Sequence, residues 1–234
     1  MNELLVADCV ARSFDGRRVL SSATLRAVRG ELRVVFGRNG IGKSTLLRIA
    51  AGLLAADSGV VHFAGESYPA PSFVQLARKG LFFLPDHDLL SNAFTLEHQL
   101  EMLRERFDGR DVRESAESVG VKEQLAKRPY QLSSGELRRA EVAAVLVRHP
   151  RCLLADEPYR GIAPLDAERL TAAFRQMAQD GVAIVVTGHE VPTLLDAADH
   201  VTWCTSGTTY ELGSPEVARA HEAFRGDYLG GWAR

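Results

Sequence analysis

The chain has 234 residues, of which 46% are hydrophobic and 25% are charged, values that are ordinary for a globular protein. Its formal net charge of −2 gives no overall electrostatic footprint for nucleic acid, so we expect no nucleic-acid partner. No apolar run approaches the roughly 18 residues that a membrane-spanning helix needs, and the first residues do not resemble a secretory signal. The three cysteines, Cys9, Cys152 and Cys204, are far apart, and we predict that they are buried thiols in a reducing cytosol.

The first 30 residues favour β-structure. Short apolar stretches at 4–6, Val10 and 23–28 are separated by turns at Asp15-Gly16 and Arg29-Gly30. We interpret this region as an antiparallel β subdomain. A fully apolar strand is then predicted at 32–36, apart from one arginine, and it runs directly into a glycine-rich loop. Apolar residues recur at helical spacing after that loop, so the predicted order is strand, loop, helix.

The glycine-rich loop matches the phosphate-binding pattern G-x-x-x-x-G-K-[ST]. Glycines allow several backbone N–H groups to point at a phosphate, and the following helix adds the positive end of its dipole. Lys43 would place a cation on the β- and γ-phosphates, and the Ser44 hydroxyl would bind Mg²⁺. We therefore predict a site for ATP and Mg²⁺ formed by Gly37, Arg38, Asn39, Gly40, Ile41, Gly42, Lys43, Ser44 and Thr45.

Further short strands are predicted at 60–63 and 81–84. The segment from about residue 95 to 127 is polar, rich in glutamate and arginine, and helical in pattern, so we interpret residues 87–131 as an inserted helical subdomain. Ser134 is predicted to be the N-cap of a helix over 135–147. A strand at 152–155, a helix at 165–178 and a strand at 182–186 follow. This alternation predicts an α/β fold with a mainly parallel sheet flanked by helices.

Two acidic residues follow the strand at 152–155. Asp156, at its carboxyl end, would hold Mg²⁺ through water, as in other P-loop ATPases. Glu157 would accept a proton from the attacking water, a role that typically contributes about 10²–10⁴-fold to a rate. An apolar strand that ends in Asp-Glu is by itself often only a solvated strand end. Its position downstream of a phosphate loop favours catalysis.

His189 follows the strand at 182–186. A lone histidine is usually an ordinary core or surface residue. In parallel α/β sheets, however, ligands bind at the carboxyl ends of the strands. We therefore predict that His189 donates a hydrogen bond to the γ-phosphate.

The string Leu132-Ser133-Ser134-Gly135-Glu136 resembles the LSGGQ signature of ABC ATPases. Alone it is a common helix N-cap, but its place between the phosphate loop and the Asp-Glu pair is specific. The resemblance covers essentially the whole chain, and the most similar members are compact single-domain subunits of bacterial ABC transporters. It implies a P-loop NTPase fold and a single ABC ATPase domain over residues 1–234.

The resemblance also assigns roles to individual residues. It implies that Phe14 stacks on adenine, that residues 37–45 are Walker A, and that Asp156 and Glu157 are Walker B with its catalytic glutamate. Ser133, Ser134 and Gly135 would bind the nucleotide of a partner subunit. His189 would be the switch histidine.

Members of this family form head-to-tail dimers that enclose two ATP molecules. The resemblance thus implies a homodimer or heterodimer of ATPase subunits, bound to integral membrane permease subunits at the cytoplasmic face of the membrane. The surface from Asp86 to Phe94 is predicted to dock the permease. Cargo selection and transport direction would reside in those partners.

Two positions depart from the family pattern. Asp86 stands where the family has the Q-loop glutamine. We predict that it acts as a metal-linked sensor, with a solvated loop as the equal alternative. Ala163 stands at the D-loop aspartate position, and Asp166 follows too late to replace it.

Two other functions compete with a transport ATPase. A soluble ABC ATPase acting on ribosomes or DNA is disfavoured, because such proteins usually carry two ATPase domains or long coiled coils. A weakly hydrolysing regulatory module would follow from the changes at Asp86 and Ala163. The intact Lys43, Asp156 and Glu157 argue against it.

Overall fold

A computed structural model describes residues 2–189 and 191–229 of the chain. Within them, ten strands form one sheet in the order β5-β4-β1-β2-β10-β9-β3-β8-β7-β6. The strands are β1 (Glu3–Phe14), β2 (Arg17–Val28), β3 (Leu32–Phe36), β4 (Ser58–Phe63), β5 (Glu66–Tyr68), β6 (Leu81–Leu84), β7 (Cys152–Ala155), β8 (Ala183–Thr187), β9 (His200–Thr205) and β10 (Thr208–Gly213).

The N-terminal part of the sheet is antiparallel, as predicted. Strand β1 pairs with β2 on one side and with β4 on the other. A bulge between Ala7 and Val10 interrupts the pairing with β2, and Cys9 within it has a φ of 49°. This irregularity leaves Cys9 exposed, whereas Cys152 and Cys204 are buried. The expectation of three buried thiols is therefore wrong for Cys9.

The other part of the sheet is mainly parallel, which confirms the predicted fold class. Strands β9, β3, β8, β7 and β6 run parallel in that order. Strand β10 runs antiparallel to β9 and joins the two parts through pairing of Thr208 with Ser22. Strand β8 includes Thr187, one residue beyond the predicted end, because Thr187 continues the register against Val35.

Both faces of the parallel strands are buried. Val34 and Phe36 pack into one core cluster, and Val35 between them packs into another on the opposite face. The helices cover these faces, so the strands are apolar at nearly every position rather than at alternate ones.

The helices are α1 (Lys43–Ala50), α2 (Phe73–Arg78), α3 (Leu96–Phe107), α4 (Val112–Ser118), α5 (Ser134–Arg148), α6 (Pro164–Gln179), α7 (Val191–Ala197) and α8 (Pro215–Ala220), with short helical turns at Lys122–Gln124, Pro129–Gln131, Glu222–Phe224 and Arg225–Leu229. The segment predicted as a helical insert thus contains α3, α4 and two short turns. Across the described ranges, no helix combines the length and apolarity that crossing a membrane requires.

The start of α5 differs from the prediction. Ser133, rather than Ser134, is the N-cap, and its hydroxyl accepts a hydrogen bond from the Glu136 N–H at 3.3 Å. The Glu136 carboxylate in turn accepts the Ser133 N–H at 2.9 Å. This reciprocal capping box requires the acid three residues after the cap, which selects Ser133.

Candidate nucleotide-binding site

The loop between β3 and α1 has a backbone that only glycine fits at two positions. A Cβ on Gly37 would collide with the carbonyl oxygen of Cys204. Gly42 has a φ of 111°, and a Cβ there would lie 2.8 Å from Leu20 Cδ2. The loop is therefore pressed against β9 and β2, and its curled form is fixed by the fold rather than by a ligand.

Lys43 is buried within this loop. Its ammonium donates hydrogen bonds to the carbonyl oxygens of Gly37, at 2.8 Å, and Arg38, at 3.3 Å. Burial lowers the pKa of Lys43, while the charges of Glu157 and Asp156 oppose that shift. The cation is thus held in place before an anion arrives, and a bound phosphate would further stabilise its charged form.

A chain of hydrogen bonds joins the start of α1 to the ends of β7 and β8. The Ser44 hydroxyl donates to Asp156 Oδ1 at 3.0 Å, and the buried Thr187 hydroxyl donates to the same oxygen at 2.7 Å. Thr187 Oγ1 also accepts the Glu157 N–H at 3.0 Å. Sequence reasoning assigned no role to Thr187, although it precedes Gly188 and His189 directly.

The donor set around Asp156 fits a magnesium ion. Ser44 and Asp156 offer hard oxygen atoms at one point, and nucleotide sites commonly hold Mg²⁺ through one or two protein oxygens with phosphates and water. No group of three or more His, Cys, Asp or Glu side chains is placed to hold a metal in the part of the chain that the structure describes.

Glu157 and His189 are in direct contact. Glu157 follows β7 and has a φ of 44°, in the left-handed region that non-glycine residues seldom adopt. Its Oε1 lies 2.8 Å from His189 Nε2. An ionised carboxylate only accepts hydrogen bonds, so the Nε2 atom carries the proton in this pairing. The histidine therefore orients the carboxylate that we predict to be the base.

These side chains surround a cavity of about 360 Å³, lined by Asn39, Gly40, Ser44, Asp86, Glu157, Arg160 and His189. Arg160 is a cation that sequence reasoning missed. Its guanidinium lies 3.6 Å from Asp86 Oδ2, and His87 Nδ1 lies 3.0 Å from Asp86 Oδ1. Asp86 thus lines the cavity with one cationic neighbour, the guanidinium of Arg160.

Other predicted site residues lie outside this cavity. Phe14 is 40% exposed, with the Arg12 guanidinium 5.0 Å from its ring centre. Ser133 and Ser134 are exposed at the start of α5. Beside them, a Cβ on Gly135 would lie 2.8 Å from Asp166, whose carboxylate pairs with Arg139 at 3.0 Å. The structure therefore does not bring the signature residues together with the phosphate loop of the same chain.

Known proteins resemble this chain in sequence. A family model described as ABC transporter matches residues 20–160. A probable ABC transporter ATP-binding protein of Azorhizobium caulinodans is 31% identical over 97% of this chain and 83% of its own length. The lipopolysaccharide export system ATP-binding protein LptB of Haemophilus influenzae is 27% identical over 97% of both chains.

Solved structures share the fold. A nucleotide-free ATP-binding cassette from an ABC transporter superposes with a TM-score of 0.85 at 19% identity, over 97% of this chain and 99% of that one. A dimeric bacterial ABC transporter cassette superposes with a TM-score of 0.79 at 21% identity, over 89% of this chain and 99% of that one.

Proposed function

Because this chain belongs to the ABC transporter family and is an ABC-type ATPase, we propose that its ATP hydrolysis powers movement of a substrate through separate membrane subunits. The observation that carries the proposal is the cavity lined by Ser44, Glu157 and His189. Asp156 is hydrogen-bonded to Ser44, and Lys43 is held in the adjoining loop. Transporter ATP-binding proteins from both import and export systems are among its relatives.

In the proposed reaction, the loop N–H groups and Lys43 bind the β- and γ-phosphates of ATP. Ser44 and Asp156 hold Mg²⁺, which neutralises phosphate charge when bound. Glu157 accepts the proton of the attacking water, and His189 orients Glu157 and then donates to the γ-phosphate. Each role follows from a group that already faces the cavity or lies beside it.

We propose that two ATPase subunits associate head to tail around the nucleotide. Ser133 and Ser134 are exposed, and the start of α5 directs backbone N–H groups outward, which suits a phosphate of the facing subunit. Phe14, exposed at the end of β1, would stack on the adenine. A cassette of the same fold has been solved as a dimer, which supports the association of two subunits.

We propose that the membrane subunit docks in an apolar groove beside α3. The groove has a volume of about 840 Å³, and its walls include Leu89, Leu90, Phe94 and Met102. Phe94 and Met102 are 46% and 53% exposed. Neighbouring exposed apolar side chains of this size mark interaction surfaces more often than scattered single ones do. The groove begins in the loop that carries Asp86, so a docked helix would touch the same loop that reaches the nucleotide cavity.

The nucleotide assignment is tested with Lys43→Ala. This variant should lose detectable ATP binding, measured by fluorescence of a trinitrophenyl-ATP probe, and with it steady-state hydrolysis. Lys79→Ala is the matched control, because Lys79 pairs with Glu66 at the surface and has no contact with the loop. Unchanged ATP affinity in Lys43→Ala would contradict the assignment.

The docking assignment is tested by co-purification with integral membrane protein. Met102→Asp and charge reversal by Asp88→Lys should each weaken it. Val217→Asp is the control, because Val217 is equally exposed, at 55%, on α8 outside the groove. Undiminished co-purification of both groove variants would contradict this docking site, and a parent that never associates with membrane protein would favour a soluble ABC ATPase.

A further inference from the structure

Arg138 and Glu141 form an ion pair inside the protein, one turn apart on α5. Their side chains are 6% and 4% exposed, and Arg138 Nη1 lies 2.7 Å from Glu141 Oε2. Charged side chains are rarely buried to this degree unless they have specific partners. The partners of this pair lie in two loops beside the nucleotide cavity, the one that follows β6 and the one that follows β7.

Arg138 holds the backbone on both sides of Glu157. Its Nε donates to the carbonyl oxygen of Pro158 at 2.9 Å, and its Nη2 donates to that of Asp156 at 3.1 Å. Because Thr187 accepts the Glu157 N–H, the peptide group between Asp156 and Glu157 is anchored at both its N–H and its carbonyl oxygen. Glu157 has the unfavourable φ of 44°, and such a conformation persists only where its surroundings fix it.

The same guanidinium holds a second loop. Nη1 donates to the carbonyl oxygen of Pro85 at 2.8 Å, in the peptide that leads into Asp86. Four of the five N–H donors of Arg138 are thus in use, two of them on Nη1. A planar guanidinium holds its donors in one rigid array. A shift of the loop at Pro85 that moved the guanidinium would therefore also disturb its hydrogen bonds to the loop that carries Glu157.

Glu141 extends the connection to the apolar groove. Its Oε1 accepts the N–H of Leu89 at 3.3 Å, and Leu89 lines the groove. A continuous path of contacts therefore runs from the groove wall, through Leu89, Glu141 and Arg138, to the backbone of Glu157.

We propose that Arg138 is a positioning residue for Glu157, and that the Arg138–Glu141 pair links the position of the groove loop to that of the catalytic carboxylate. The first part rests on the ATPase activity of the chain. The second rests on the proposed function, which assigns the groove to the membrane subunit. A membrane partner that pushed on the loop at Leu89 would thereby alter the placement of Glu157.

The first test compares Arg138→Lys with Arg138→Met/Glu141→Met. Lysine keeps the charge beside Glu141 but cannot span three carbonyl groups. The double variant removes both charges together, which avoids leaving one charge buried alone. We expect kcat for ATP hydrolysis to fall about tenfold to a hundredfold in both, with KM and trinitrophenyl-ATP affinity within about threefold of the parent.

Arg139→Met is the matched control on the same helix. Arg139 also donates to backbone carbonyls, those of Val119 and Gly120, but it does not contact the Glu157 loop. Its kcat should stay within about twofold of the parent. A kcat within twofold of the parent in Arg138→Lys and the folded double variant would overturn the positioning role.

The second test asks whether Arg138 acts through Glu157. In a Glu157→Gln background, Arg138→Lys should change the residual hydrolysis by less than about twofold, because residues that act as a unit are not additive. A further tenfold loss there would mean that Arg138 acts by another route.

The third test addresses the link to the groove by hydrogen–deuterium exchange of residues 86–94. In Glu157→Gln, ATP should alter the exchange of this segment, and adding Arg138→Lys should reduce that change at least threefold. An equal change in both proteins, or none in either, would overturn the link. Failure of membrane docking alone would contradict the proposed function and leave the kcat result for Arg138 standing.

Discussion

Replacing Thr187 with valine removes one hydroxyl that serves two groups of the site. In the parent it donates to Asp156 at 2.7 Å and accepts from the Glu157 N–H at 3.0 Å. Thr187 is fully buried, so water cannot replace these bonds. A hydrogen bond to a charged group contributes about 1.5–3 kcal/mol, and an unpaired buried N–H costs about 1–3 kcal/mol. We expect a destabilisation of about 2.5–6 kcal/mol, a large share of a typical stability of about 5–15 kcal/mol.

Thermal unfolding of the nucleotide-free protein measures this effect. At about 2–4 °C for each kcal/mol in a chain of this size, Thr187→Val should unfold about 5–24 °C below the parent. Thr187→Ser keeps the hydroxyl and loses one methyl group, so its cost should be about 1 kcal/mol. Thr202→Val is a second control. The hydroxyl of the buried Thr202 on β9 donates a hydrogen bond to Glu211 at 3.1 Å, away from Asp156 and Glu157, so this variant should lose less stability than Thr187→Val.

Hydrolysis should follow the same order. Because Thr187 anchors both Asp156 and Glu157, Thr187→Val should lower kcat at least about tenfold, whereas Thr187→Ser should stay within about threefold. Equal unfolding temperatures and equal kcat values for the valine and serine variants would refute the reasoning, since the methyl group rather than the hydroxyl would then determine both.

Three further predictions concern the site and its surroundings. Glu157→Gln should accumulate as an ATP-bound dimer on gel filtration, because the amide cannot take a proton from water; a monomer with parental turnover would show that Glu157 is not the base. Asp86→Gln should leave ATP binding nearly intact and flatten the Mg²⁺ dependence of turnover; superimposed Mg²⁺ titrations would exclude the sensor role. Burial raises the pKa of Cys152 to about 12 and of Cys204 to about 11, so both stay protonated at pH 8 and iodoacetamide should modify Cys9 first. Mass spectrometry of the native protein checks this, and labelling of Cys152 at a rate similar to Cys9 would contradict the packing of β7.

The strands that carry the site were predictable because each is a short apolar run that ends in a polar or glycine signal. Strands β3, β6 and β7 have the predicted limits, and each is followed directly by a residue of the cavity or its loop. This works because both faces of a parallel sheet are buried, so strand ends coincide with changes of composition. The same reasoning predicts that Ser44, Glu157 and His189 lie at one edge of the sheet, and all three line the cavity there.

The missed features depend on contacts between distant segments. Arg160 reads as an ordinary loop cation, and its approach to Asp86 arises only because β6 and β7 are neighbours. Arg138 lies in a helix with regular spacing, and nothing local indicates that it is buried against the loops that follow β6 and β7. Cys9 follows alternating strand residues, but a bulge rotates it outward. In each case tertiary packing, rather than local pattern, determines the environment.

The departures at Asp86 and Ala163 have different structural consequences. Ala163 is the N-cap of α6 and offers no side-chain acceptor to the first turn, a position where aspartate would usually serve. The absence of an aspartate here therefore leaves this helix end without a side-chain cap. Asp86 adds a negative charge beside Glu157, but Arg160 lines the same cavity and supplies a positive one. Because the charges of Asp86 and Arg160 are opposite, they leave the net charge of the cavity about the same as in a chain with a neutral glutamine at position 86 and no arginine at position 160. The carboxylate of Asp86 can thus line the cavity without adding net negative charge to it. In the proposed dimer, a movement of Arg160 would leave that carboxylate free to bind the proposed Mg²⁺, which is what the Mg²⁺ titration of Asp86→Gln tests.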